Sequence, residues 1–330
     1  MSGCSVITDP ISRLHDNAGH PESQTRLENA LSGVPQKIPR IQAGPASLDD
    51  ILLVHNRYYL KWLEQRCAAT RELGYLDADT YITPRSFEVA LNAAGAAISA
   101  AERSMHGEHC FAMIRPPGHH AEYDRAMGFC LLNNGAIAAA HLLLDIDRVA
   151  IVDWDVHHGN GTQHAFYGSD RVLYCSVHQE FFFPYSGSID EIGTGKGKGF
   201  TINAPLQTGS GIADYRHVFS EIFVPALTRF QPDAIIVSAG QDILADDPIG
   251  GMRIMPENFE ILTRMVAGAA GVHLALVLEG GYGNSHGLAI SHIFAALLSG
   301  KNPVNQALGS PQESTQRTVS VLKKIHGLAK

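Results

Sequence analysis

A chain of 330 residues, 45% hydrophobic and 18% charged, has an ordinary globular balance and enough apolar surface for one large α/β domain. A net charge of -8, with Lys and Arg scattered apart from Lys323 and Lys324, excludes general attraction to a phosphate backbone, so no direct nucleic-acid binding is expected. The five cysteines (Cys4, Cys67, Cys110, Cys130 and Cys175) lack CxxC spacing and read as reduced thiols. Met1–Pro10 lacks a signal-peptide pattern and no apolar run reaches membrane-spanning length. A cytoplasmic protein is expected, with export by a specialised route left open.

In chain order, apolar spacing predicts a helix over Phe87–Ser104, a strand at Cys110–Ile114, a helix over Asn134–Leu144 and strands at Val149–Val152 and Val172–Val177. Gly193–Gly199 lacks a phosphate-loop pattern and reads as a loop. There follow a helix over Asp214–Phe230 with Asp214 as its cap, a strand at Ala234–Ser238, a helix over Pro256–Ala270 with Pro256 in its first turn, a strand at Leu274–Leu278 and a helix over Leu288–Leu298. The alternation predicts a mostly parallel sheet covered by helices on both faces, and no repeat or linker divides residues 1–330, so a single domain is expected.

Polar segments follow four of these strands directly: Arg115-Pro116-Pro117-Gly118-His119-His120, Asp153-Trp154-Asp155-Val156-His157-His158-Gly159-Asn160, Ala239-Gly240-Gln241-Asp242 and Glu279-Gly280-Gly281-Tyr282-Gly283. In open α/β folds ligands bind at the carboxyl edge of the sheet, where such loops converge. Asp153, Asp155 and His157 alternate, so a strand running out can point them to one side; a carboxylate and an imidazole two residues apart can bite one metal ion, and Asp242 from another loop can complete a set of three protein ligands. Zinc accepts two Asp and one His, and on composition alone manganese or iron stays open. A lone Asp or His is more often a surface residue or helix cap. The concentration of such groups at strand ends on one rim is what weighs against that reading.

His119 and His120 follow a stiff Pro-Pro-Gly turn and suit general acid–base work, with exposed loop histidines or further metal ligands as the alternatives. Tyr282, among glycines, suits hydrogen-bond donation to an oxyanion, although Gly-Gly-Tyr alone is more often a turn with an aromatic anchor.

These motifs, with His15-Asp16-Asn17-Ala18-Gly19-His20-Pro21-Glu22 near the start, resemble the zinc-dependent histone deacetylase superfamily, in particular bacterial class II-like amidohydrolases. The resemblance implies one zinc on Asp155, His157 and Asp242, His120 as proton shuttle, His119 as its charge-stabilising partner, Asp153 behind His119 and Asn160 behind His120. It implies Tyr282 as the carbonyl-polarising phenol, Phe129 and Phe183 as walls of an acyl-lysine tunnel, Arg26 in an inner product channel, and Gln241 and Ile249 as residues shaping the pocket. A structural potassium or sodium ion is implied at Asp153 and Ser176, with carbonyls of Asp155, His157 and Val177. Two departures stand out: Gln241, where many relatives carry Phe, and Gln179–Gly187, where relatives often have Gly-Thr-Gly after the proline. The implied activity is hydrolysis of N-acyl-lysine in proteins or peptides, with a homo-oligomer open. Acetylated polyamines are the alternative substrate, and Ile249 rather than an acidic residue favours the lysine reading. A silent binding module is disfavoured because every group of the constellation is present, and an arginase-type two-metal hydrolase because Gly240-Gln241-Asp242 offers one carboxylate.

Overall fold

The run Val149–Asp153 sends Val149 and Ile151 into one apolar core and Ala150 and Val152 into another. Leu274–Leu278 divides likewise, Leu274, Leu276 and Leu278 against Ala275 and Val277. A strand whose successive side chains both meet apolar neighbours belongs to a sheet buried on two faces. The computed structural model describes residues 3–299 and 309–328. In chain order its strands are β1 Gly3–Ile7, β2 Arg40–Ile41, β3 Gly74–Tyr75, β4 Tyr81–Ile82, β5 Glu108–Ala112, β6 Val149–Asp153, β7 Val172–Gln179, β8 Thr201–Leu206, β9 Ala234–Ala239 and β10 Leu274–Leu278. Eight form a parallel sheet in the order β2-β1-β5-β10-β9-β6-β7-β8, and β3 and β4 form a small hairpin apart from it. The fold is a single α/β domain with this sheet flanked by helices, as the sequence pattern predicts.

One face is covered by the alanine-rich helix Ser86–Met105 and by Asn134–Leu142, whose small side chains allow close approach. The other face carries Gln24–Ser32, Asn258–Ala270, His286–Ser299 and Glu313–His326, with the helical stretch from Ile212 to Phe230. That stretch departs from expectation. It contains a π turn at Phe219–Phe223, one turn before Pro225, which has no N–H for the regular ladder. Asp214 is not its N-cap residue: it lies in the first turn and reaches back to accept from the Gly211 N–H at 3.0 Å. Pro256 sits in the turn before Asn258–Ala270 rather than inside the helix.

The four motif-bearing strands β5, β10, β9 and β6 are contiguous in the middle of the sheet. All run parallel, so their following loops meet at one edge. Among the described residues, no helix is long and apolar enough to cross a membrane.

Several histidines are buried in neutral form. His55 accepts from the Asn133 N–H at Nε2 (2.9 Å) and donates from Nδ1 to the Glu122 carbonyl (2.8 Å), leaving no site for a second proton. Burial lowers it to about 4, His178 to about 4 and His15 to about 3. Their folded proton affinity lies below that of the unfolded chain, so unfolding takes up protons as the pH falls below the ordinary histidine value. The contribution of His55, read as the difference in chemical-denaturation stability between the wild type and His55→Gln, is therefore expected to be level above about pH 7.5 and to fall between about pH 6.5 and 4. A difference that holds or grows on acidification through this window contradicts the neutral form of His55.

Candidate active site

The residues after β6 and β9 bring together Asp155, His157 and Asp242, each offering a ligand atom within 4.8 Å of the others. His157 Nδ1 lies 3.0 Å from Asp155 Oδ1 and 3.1 Å from Asp242 Oδ2. Backbone donors aim both carboxylates: Gly280 N–H to Asp155 Oδ2 at 2.8 Å, and Val156 N–H to Asp242 Oδ1 at 2.8 Å. Both acids are fully buried, and the glycines beside them are demanded by space. A Cβ on Gly240 would stand 2.2 Å from Asp155 Oδ2, and one on Gly280 2.1 Å from Asp242 Oδ2. Burial and the Asp155 charge push the Asp242 carboxyl up to about 8. Burial opposes protonation of His157, but its bonds to the two carboxylates outweigh this and hold it up to about 9. Two buried carboxylates and an imidazole converging on one point suit a single divalent cation with an open coordination position. Among the described residues this is the group of His, Cys, Asp and Glu side chains that could hold a metal ion.

The tandem histidines stand on the loop after β5, their rings 4.1 Å apart. Their outer partners differ in charge. His119 Nδ1 lies 3.1 Å from Asp153 Oδ2, and His120 Nδ1 lies 2.8 Å from Asn160 Oδ1. The Asn160 amide nitrogen donates to Glu122 Oε1 at 2.6 Å, which turns its oxygen toward His120. His120 therefore carries its proton on Nδ1 and leaves Nε2 as a free base. Burial and the neighbouring charge of His119 lower its proton affinity well below normal. Burial also opposes charging of His119, but Asp155 and Asp153 outweigh it and raise it to about 10. Unlike partners thus separate the two imidazoles.

A cavity of about 210 Å³ leads to this group, walled by Phe129, Phe182, Phe183 and Ile249, with Tyr282 and Gly280 at its side. Phe183 stands edge-on to His120 at 5.1 Å, and Phe129 edge-on to Tyr282 at 6.0 Å. Burial holds the Tyr282 phenol far above its ordinary value, so it remains a proton donor.

The histone deacetylase domain profile matches residues 20–297. The chain belongs to the histone deacetylase family. It is 42% identical over 277 residues to a probable deacetylase of Archaeoglobus fulgidus, covering 80% of this chain and 76% of the relative. It is 41% identical over 292 residues to a histone deacetylase-like amidohydrolase of Pseudomonas aeruginosa, covering 83% of this chain and 76% of that protein. The crystal structure of the HDA15 HD domain superposes with a TM-score of 0.90 at 32% identity, covering 98% of this chain and 94% of that one. The family consists of deacetylases and related amidohydrolases, so this deacetylase is a hydrolase of amide bonds.

Gln241 departs from its expected place at the pocket. Its amide nitrogen donates to the Ala239 carbonyl (2.7 Å) and its oxygen meets His286 Nε2 (2.9 Å), so it lies beneath Gly281 and away from the cavity wall. Ser176 faces Asp153 across the β6–β7 register, but its hydroxyl is bound to His178 Nδ1 at 2.9 Å. Val177 is buried in the core. Arg26 donates to the Glu279 carbonyl (2.9 Å) and lies over the Tyr282 ring, 5.2 Å from its centroid.

Four further residues, Glu279, Glu22, Asp247 and Phe182, hold this geometry in place. Glu279 accepts from the Gly118 (2.7 Å) and His119 (3.1 Å) N–H groups, tying the tandem-histidine turn to β10, and burial raises it to about 7. Glu22 takes both Arg115 Nε (2.7 Å) and Nη2 (2.8 Å), anchoring the start of the same turn. Asp247 accepts from the Tyr282 (2.6 Å) and Gly283 (3.0 Å) N–H groups with one oxygen and from Ile249 (2.9 Å) with the other, joining the phenol to the cavity wall. Phe182 stacks on His157 at 5.1 Å, and only its place in the run Phe181-Phe182-Phe183 hinted at it.

Replacing Gly280 by Ala is expected, like Asp242→Asn, to abolish divalent-metal binding in elemental analysis, with little change in far-ultraviolet circular dichroism. Full metal occupancy in G280A contradicts the cradle.

Proposed function

We propose that this deacetylase removes the acyl group from N-acyl-lysine side chains of proteins or peptides, with one zinc ion held by Asp155, His157 and Asp242. The observation that carries the reading is the placement of the Asp155–His157–Asp242 cluster below an aromatic-walled cavity, beside two imidazoles with unlike partners. When bound, the ion supplies Lewis acidity toward the amide carbonyl and lowers the pKa of a water.

The protein's own groups do the rest. Phe129 and Phe183 hold the methylenes of a lysine stem and leave its backbone outside. His120 Nε2 takes the proton of the attacking water, a task its neutral amide partner favours. His119, paired with the Asp153 carboxylate, holds positive charge beside the developing negative oxygen. The Tyr282 hydroxyl donates to that oxygen. The amine then leaves with a proton from the histidine pair, which closes the proton cycle.

Removing His120 (H120A) is expected to lower kcat/KM by about 10²- to 10⁴-fold, and Tyr282→Phe by about 10²- to 10³-fold, with metal content unchanged in both. Unaltered rates refute the assigned roles. Against a substrate panel, kcat/KM for acetyl-lysine peptides is expected to exceed that for acetylputrescine and acetylspermidine. The reverse order moves the substrate to small amines while leaving the chemistry intact.

A further inference from the structure

Among the described residues the non-glycine positions with left-handed backbone are Phe129, Phe181, Tyr185 and Gln231. Phe129 is a wall of the cavity. Phe181 and Tyr185, at φ 55° and 63°, flank the Phe182–Phe183 pair that lines it. Large side chains are disfavoured in this region, and such conformations persist only where surrounding structure enforces them. Here the enforcement is plain. The loop is tied from beneath by His158 Nδ1 to the Ser186 hydroxyl (2.8 Å) and by His178 Nε2 to the Gly187 carbonyl (3.0 Å). Glu191 accepts from the Gly187 (3.3 Å) and Ser188 (3.1 Å) N–H groups and from Gln163 Nε2 (2.5 Å). Above this anchored underside both rings project into solvent, Phe181 88% and Tyr185 82% exposed. They border a cleft of about 220 Å³ next to the catalytic cavity, too small for a cofactor and suited to one side chain.

We propose that Phe181 and Tyr185 form a subsite for an apolar side chain of the polypeptide carrying the acyl-lysine, close to that lysine in sequence. This rests on the deacylase reading and narrows its substrate to polypeptides. Three observations select this occupant. The cleft and the cavity are walled by consecutive residues of one loop, Phe181 and Tyr185 lining the first and Phe182 and Phe183 the second. An extended chain advances only about 3.3 Å per residue, so a neighbouring side chain reaches next door. Aromatic rings have few rotatable bonds, so on an anchored backbone they bind at low entropic cost, which is the property an anchor for a flexible peptide needs.

The test uses the metal-loaded full chain and three substrates: capped acetyl-lysine amide, an acetyl-lysine peptide with glycine flanks, and the same peptide with Phe or Leu beside the acetyl-lysine. The variant is Phe181→Gly with Tyr185→Gly, which removes both rings and relieves the backbone, so the fold is retained. The wild type is expected to favour the apolar-flanked peptide, and the variant to lose about tenfold in kcat/KM on that peptide alone, through KM. An equal effect on all three substrates, or none, overturns the subsite. So does a variant whose only change is a smaller particle in sedimentation, which assigns the rings to contact between copies of this chain. If the wild type fails to hydrolyse even the capped amide, the deacylase reading falls and the subsite with it.

Discussion

Two carboxylates, Asp155 and Asp242, are held fully buried on either side of His157 Nδ1, within 3.1 Å of it. Burying like charges together is costly unless a cation or a set of donors offsets the repulsion. Most of the surrounding geometry answers that constraint. Gly240 and Gly280 carry no side chain because a single carbon would strike a carboxylate oxygen. The N–H groups of Val156 and Gly280 point at the acids. On the proposed reading a divalent ion completes the balance, with Asp155 and His157 facing the cavity.

The sheet delivers these loops, and a second tier of acids fixes them. Glu22, Glu279 and Asp247 do not themselves line the cavity, yet each closes a loop onto its neighbour: Glu22 through Arg115, Glu279 through the Gly118–His119 backbone, Asp247 through the Tyr282 and Ile249 backbone. Removing one partner of a buried pair such as Glu22–Arg115 typically costs about 3–5 kcal/mol, because the other charge is left uncompensated. The catalytic groups thus sit on loops made rigid by buried acid–donor contacts. The loop bearing Phe181 and Tyr185 follows the same rule, with Glu191 in the acid's place.

The sequence pattern was most informative where chemistry and strand ends coincide. Val149–Asp153 and Leu274–Leu278 are uniformly apolar because both faces are buried, and the polar motifs follow them at once. β8 was not foreseen, since Asn203 and Pro205 interrupt its apolar run; it pairs only with β7, at the sheet edge where proline is tolerated. β1 and the helix Gln24–Ser32 lie in a region read for its His15–Glu22 motif rather than for periodicity. Gln241 was misplaced because adjacency to Asp242 says nothing about which way a side chain turns. His286, far along the chain, draws it away. Roles of Glu279 and Asp247 were hidden for a similar reason: their partners are backbone N–H groups, which leave no mark on residue type.

Cobalt(II) substitution tests the central claim most directly, because its visible spectrum reports the number and kind of ligands around the ion. One cobalt per chain is expected, with the intense d–d bands of a low-coordinate oxygen and nitrogen site that vanish when His157 is replaced by Ala. Failure to bind stoichiometric cobalt, or a spectrum indifferent to His157, would contradict a single divalent ion shared by Asp155, His157 and Asp242.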